Sequence, residues 1–199
     1  NYLFIEFMPP STVGGLKPSQ ATLKRCFDML GAAVGLLLTG WIIAIAWLLA
    51  TIDTGANGFF LQQRIGRNGS LFSAVKIRTM RQGDGEATSV TTSGDPRITP
   101  LGRFWRKTKI DELPQLFNVL IGQMSFVGPR PDVPGFADTL RGDDRVILSV
   151  RPGITGPATL KYRDEEELLA SVEDPEAYNR DVIDPDKVRL NRGYLESWS

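Results

Sequence analysis

Met29 to Ile52 reads Met-Leu-Gly-Ala-Ala-Val-Gly-Leu-Leu-Leu-Thr-Gly-Trp-Ile-Ile-Ala-Ile-Ala-Trp-Leu-Leu-Ala-Thr-Ile, 24 positions without a charge. As a straight helix it would reach ~36 Å, enough to cross a bilayer core of ~30 Å. A fully buried soluble helix is the alternative, and the length weighs against it. The run is too long for a signal peptide, and no small-residue cleavage pattern follows it. Lys24 and Arg25 lie on one side; Arg64, Arg67, Lys76, Arg78 and Arg81 lie on the other. Cytoplasmic flanks attract basic residues, so both ends are expected on one face of the membrane. A helix that enters, bends near Thr39-Gly40 and returns meets that condition. Glycine bends cheaply there, and the threonine hydroxyl can bond a freed carbonyl. Asp28, near the entry, then needs a partner, which Lys24 or Arg25 can supply one turn away.

The rest of the chain is read outward from this run. Asn1 to Met8 lacks an initiator methionine and is expected to be a truncated or added start, and Pro9 to Gln20 reads as a flexible lead-in. Residues 21–55 form the membrane helix and 56–199 a small cytoplasmic domain. Gly58 to Gln63 and Leu71 to Ile77 read as short strands joined by a turn at Gly66 to Gly69. Gly83 to Asp95 reads as a polar surface loop. Pro100 to Lys109 reads as a helix with Leu101, Phe104 and Trp105 beside Arg103, Arg106 and Lys107. That pattern suits a helix lying on a membrane surface and, equally, a half-buried one. A further helix is expected to start at Asp111 and end at Gly122, with short ones over Arg163–Val172 and Asp184–Tyr194. The expected class is α+β: mostly helical, with one β-hairpin, on a re-entrant membrane helix with surface-lying amphipathic helices.

Composition narrows the chemistry. The net charge is zero, yet residues 62–109 carry ten Lys and Arg against three Asp and Glu, and residues 110–199 carry ten against seventeen. A basic segment beside a membrane-length run points to anionic headgroups or phosphates, or to an ordinary solvated basic face. There is no His and one Cys, Cys26. That excludes an intramolecular disulfide, a His-based zinc site and a Ser-His triad, and it pushes general acid–base work toward carboxylates.

Asp111 and Glu112 stand adjacent, after the cations Arg103, Arg106, Lys107 and Lys109 and before Pro114. An isolated Asp-Glu pair in this place is usually a helix cap with an acidic first turn. As chemistry, one carboxylate can attack phosphorus while the other holds Mg²⁺ or assists proton movement. Arg130, between Pro129 and Pro131, is stiffly held and suits bidentate phosphate binding. Lys76 and Arg78 place two further cations on one strand face.

Four blocks resemble the monotopic phosphoglycosyl transferases, the bacterial sugar transferase family. They are Lys24-Arg25-Cys26-Phe27-Asp28; Phe60 to Gly66 with Lys76-Ile77-Arg78-Thr79-Met80; Gly102 to Thr108 running into Asp111 to Leu120; and Gly122 to Pro131 followed by Arg151 to Gly156. The resemblance implies transfer of a phosphosugar from a UDP-sugar to a polyprenol (undecaprenyl) phosphate, with release of UMP. It implies Asp111 as covalent nucleophile, Glu112 as its dyad partner, and Mg²⁺ as cofactor held by Asp111 and Glu112. It also implies phosphate contacts by Lys76, Arg106 and Arg130, to which the strand position adds Arg78. Expected partners are the two substrates and membrane phospholipid, with no nucleic acid and with a homodimer permitted. The expected site of action is the cytoplasmic face of a bacterial inner membrane. Where the family often bends its membrane helix at Ser-Pro, this chain has Thr39-Gly40. The rival reading is a non-enzymatic anchored module that binds anionic lipid or nucleic acid through the basic segment.

Overall fold

In the computed structural model, which describes residues 18–81 and 95–197, the apolar run lies inside one long helix, α1 (Pro18–Thr54). Its 37 residues correspond to ~55 Å. The helix begins earlier than expected, at Pro18, a residue tolerated where the N–H has no helical partner. It continues through Thr39-Gly40 as one helical element, with the Thr39 hydroxyl donating to the Gly35 carbonyl at 2.7 Å. The expected lead-in falls on residues 1–17, apart from its helical end. The expected loop at 83–95 falls outside the described residues except for Asp95.

α1 has two faces. Asp28, Ala32, Ile43, Ala46 and Ala50 are buried against the rest of the chain at helical spacing. Leu23, Phe27, Leu30, Val34, Leu37, Leu38, Trp41, Ile45, Leu48 and Ile52 are exposed, Leu37 to 83%. An apolar ridge of this length in water would be strongly unfavourable. The polar anchor sits at the start of the helix. Lys24 pairs with Asp28 at 3.5 Å and bonds the Ser125 hydroxyl, while Asp28 accepts the Phe126 N–H at 3.1 Å. Asp28 is thus satisfied as expected, through Lys24. Arg25 instead donates to the Val119 and Leu120 carbonyls at 2.7 and 2.8 Å. At the far end, the Gly58 N–H donates to the Thr51 hydroxyl at 3.0 Å, and the Trp47 ring lies 6.2 Å from that of Phe59. Both ends of α1 therefore pack on the same body.

That body starts with an antiparallel hairpin, β1 (Phe59–Ile65) and β2 (Leu71–Ile77), in the register Phe59 opposite Ile77 through Ile65 opposite Leu71. Asn68 and Gly69 take positive φ at the turn. α2 (Pro100–Thr108) follows, capped by the Thr99 side chain, which accepts the Gly102 N–H. A 3₁₀ turn at Ile110–Glu112 leads into α3 (Gln115–Leu120), which ends at Gly122 with φ +88°. The helix expected to start at Asp111 is therefore shorter: Lys109 in the left-handed region closes α2, and Pro114 delays α3.

A parallel strand pair escaped the sequence reading. β3 (Ser125–Val127) pairs with β4 (Gly153–Thr155), with the Ser125 N–H donating to Pro152 and the Gly128 N–H to Thr155. These strands are three residues each, too short for an alternating pattern to register. Short helices complete the chain: α4 (Pro157–Lys161), α5 (Glu165–Ala170), α6 (Pro175–Tyr178) and α7 (Asp184–Glu196). The fold is mostly helical with a short hairpin, as expected. Its core forms three clusters, centred on Ile43, Ala46 and Trp105; on Ala32, Val119 and Met124; and on Ile65, Ile147, Leu148 and Val188.

Candidate active site

One edge of β2 pairs with β1; a side chain closes the other. Asn118 of α3 accepts the Val75 N–H at 3.0 Å and donates to the Ser73 carbonyl at 2.8 Å and to Gln123 at 2.7 Å. The amide thus imitates a neighbouring strand and satisfies backbone groups that burial would otherwise strand. Arg25 meanwhile takes two carbonyls at the end of α3. With α3 fixed against β2, the turn before it sets Glu112 beside Lys76, whose Nζ lies 3.5 Å from Oε1.

Arg130 arrives from the opposite side. Its loop is held by close backbone packing: a Cβ on Gly128 would meet the Arg151 carbonyl at 2.5 Å, and one on Gly153 would meet the Gly128 nitrogen at 2.2 Å. Only glycines allow β3 and β4 to approach this closely. The Gly153 N–H donates to the Pro129 carbonyl at 2.8 Å, and Arg64 donates to the Pro131 carbonyl at 2.9 Å, so both prolines are pinned. Arg130 then grips Glu112 with both terminal nitrogens, at 2.5 Å to Oε1 and 3.4 Å to Oε2.

Asp111 and Glu112 are both buried but live differently. Burial raises Glu112, but Arg130 and Lys76 outweigh it and hold the carboxyl down at about 2. Asp111 has no such grip. Its Oδ1 is buried without a hydrogen-bond partner. Burial and the charge of Glu112 push Asp111 up to about 6, against the pull of Lys76, Arg106 and Lys109. Asp111 sits in a 3₁₀ turn rather than at the start of a helix, and burial dominates its ionisation. Burial also lowers Lys76 to about 8, with Glu112 opposing.

The remaining expected residues divide. The Arg106 guanidinium lies close enough to act on Asp111, positioned by Gly102, where a Cβ would meet the Thr79 carbonyl at 2.1 Å. Arg106 donates to Thr79 Oγ1 at 3.0 Å, to the Met80 sulfur at 3.1 Å, and to Glu166 at 2.7 Å. Arg78 does not join the group: it donates to the Asn57 carbonyl at 2.7 Å and lies 5.5 Å over the Phe60 ring, bracing the base of the hairpin. Residue order alone did not point to the parts that Asn118, Arg25 and Glu166 play in holding the site. Gly128 and Gly153 were visible as places where backbone can approach closely, but which segments they bring together was not.

The arrangement is a carboxylate with one uncommitted oxygen, beside a second carboxylate held ionised, ringed by Lys76, Arg106 and Arg130. Comparison with known proteins gives that geometry its class. The profile of the family described as Bacterial sugar transferase matches residues 19–199, and the chain belongs to that family. It is 31% identical over 97% of its length to the exopolysaccharide production protein ExoY of Rhizobium meliloti, covering 85% of that protein. It is 36% identical over 92% of its length to the galactosyl transferase CpsE of Streptococcus agalactiae, and 38% identical over 70% of its length to the undecaprenyl-phosphate galactose phosphotransferase of Salmonella typhimurium. The chain spans 40% and 33% of the length of those two relatives. By family it is an enzyme, a transferase of phosphate-containing groups.

Proposed function

We propose that the chain transfers a phosphosugar from a UDP-sugar to undecaprenyl phosphate in two displacements. An Asp111 carboxylate oxygen attacks the sugar-linked phosphorus, the bond to the bridging oxygen breaks, and UMP leaves with that oxygen. A phosphate oxygen of the polyprenol then attacks the same phosphorus, and Asp111 leaves as the free carboxylate. The covalent route splits one difficult displacement between anions into two assisted ones. The observation that carries this reading is Asp111 itself: a buried carboxylate with Oδ1 unpaired, set among Lys76, Arg106 and Arg130. The names of two relatives support it, the Salmonella galactose phosphotransferase and a UDP-N-acetylgalactosamine-undecaprenyl-phosphate N-acetylgalactosaminephosphotransferase of Aeromonas hydrophila.

Lys76 and Arg130 would neutralise the clustered phosphates without reorganising, since Glu112 already holds both in place. Mg²⁺ fits one atom here. Among the described residues no cluster of three or more ligating side chains exists, and Glu112 is committed to Arg130 and Lys76. Asp111 Oδ1 would therefore hold the ion together with substrate phosphate oxygens, the sparse set Mg²⁺ favours, and the ion would supply further charge neutralisation.

The membrane arrangement belongs to the same proposal. α1 would seat its exposed ridge in the cytoplasmic leaflet of a bacterial inner membrane and return to the side it entered, through a bend within the one continuous helix near Thr39-Gly40. Basic flanks at both ends and packing of both ends on one domain support this. The exposed Phe104, Phe117 and Ile121, beside Arg103 and Lys107, would rest among phospholipid headgroups. The decisive experiment is UMP release from a panel of UDP-sugars with undecaprenyl phosphate and Mg²⁺. Asp111→Asn abolishes release while membrane association persists; normal turnover by that variant overturns the proposal.

A further inference from the structure

Arg106 meets an anion that neither the dyad nor the loop supplies. Its ionic partner is Glu166 of α5, at 2.7 Å, while its other bonds go to a threonine hydroxyl and a thioether sulfur, a weak acceptor. α5 is placed independently of this contact. Leu169 is buried, and Glu165 pairs with Lys187 at 2.8 Å. Around Asp111 the cations Lys76, Arg106, Lys109 and Arg130 face the anions Asp111, Glu112 and Glu166, and Arg106 and Arg130 each already hold a carboxylate. A phosphate that is to gain Arg106 must compete with the carboxylate already on it.

Only one of the two paired carboxylates can leave cheaply. The Glu112 side chain is 10% exposed and held by two cations, whereas the Glu166 side chain is 44% exposed and held by one. A carboxylate already half in water regains its hydration on release, and a half-exposed ion pair is weak to begin with. We infer that Glu166 is a positioning residue, the resident counter-ion of Arg106, and that a substrate phosphate displaces it to gain the arginine. Glu166 orients the guanidinium beside Asp111 in the empty site and sets the affinity for the incoming phosphate by competing with it. The inference rests on the proposed phosphosugar transfer, and a phosphate of either substrate could be the competitor.

The test uses the full chain in nanodiscs and the variant Glu166→Gln, with Glu167→Gln as control. Glu167 lies on the same short helix, is exposed, and carries the same charge. KM is measured separately against UDP-sugar and against undecaprenyl phosphate, and UMP binding is measured by titration calorimetry, which needs no turnover. Glu166→Gln is expected to lower the KM of one substrate by about twofold to fivefold, the scale of a half-exposed ion pair. It also steepens the dependence of that KM on salt, because the phosphate then meets an unpaired arginine, with Glu167→Gln unchanged. If the donor is the competitor, UMP binding tightens by a similar factor; if the acceptor is, only the undecaprenyl phosphate KM falls. A KM unchanged or raised for both substrates in Glu166→Gln overturns the inference, as does an equal fall in Glu167→Gln. Absence of UMP release from the unaltered chain would instead count against the transfer reaction, a separate result.

Discussion

At the scale of single residues, the dyad is two carboxylates given opposite environments. Asp111, raised to about 6, must be ionised for the proposed attack on phosphorus. UMP release is therefore expected to fall as pH drops through about 6, and a pH–rate profile of kcat/KM checks it. The stability signs differ. Glu112 is held near 2 in the folded chain, against an ordinary 4.5, so its contribution is present above 4.5 and is lost as pH falls from there toward 2. Asp111 runs the other way: between 3.8 and about 6 the folded chain holds a proton that the unfolded chain does not, so its ionisation costs stability as pH rises. Asp111→Asn is accordingly expected to be inactive yet at least as stable as the parent at pH 7.5, in a chemical-denaturation comparison. Glu112→Gln leaves Arg130 without its counter-charge; it should lose about 2 kcal/mol of stability along with most of its UMP release. Chelation by EDTA should abolish release, and added Mg²⁺ should restore it.

At the scale of elements, what holds the dyad in place is a set of joints between short pieces. Asn118 joins α3 to the free edge of β2, and Gly128 against Gly153 joins β3 to β4. Asn118→Leu keeps the branched heavy-atom shape but strands the Val75 N–H and the Ser73 carbonyl. It should cost about 2–6 kcal/mol, at about 1–3 for each of the two unpaired groups, measured by thermal unfolding in detergent. Much of this level was legible beforehand. The hairpin, its turn and α2 follow from alternation and turn residues, and Arg130 between two prolines was visibly rigid. The joints were not legible, because an asparagine that imitates a strand, or a glycine that admits another glycine, depends on a neighbour distant in sequence. The same reason hid Glu166: a run of three glutamates reads as a solvated helix face until Arg106 is found across from it. It also separated Lys76 from Arg78, which share a strand face in sequence but are drawn to Glu112 and to the Asn57 carbonyl.

At the scale of the whole molecule, α1 is the platform on which these joints assemble. One face docks through Asp28, Ala32, Ile43, Ala46 and Ala50, and the opposite face is an apolar ridge from Leu23 to Ile52. The chain is expected to stay with membranes through high salt and alkaline carbonate and to leave only with detergent. On a Cys26→Ser background, Thr12→Cys and Val90→Cys are expected to label from the same side in oriented vesicles; labelling from opposite sides would mean that the helix spans. By itself, the sequence determined the apolar helix, the hairpin, the acidic pair and the loop arginine, since each rests on local periodicity or on fixed backbone angles. Only the tertiary structure decided that Glu112 is the clamped carboxylate and Asp111 the uncommitted one. Burial and ion pairing act through space: Lys76, Arg106 and Arg130 reach the dyad from three separate segments, and Glu166 holds Arg106 from a fourth.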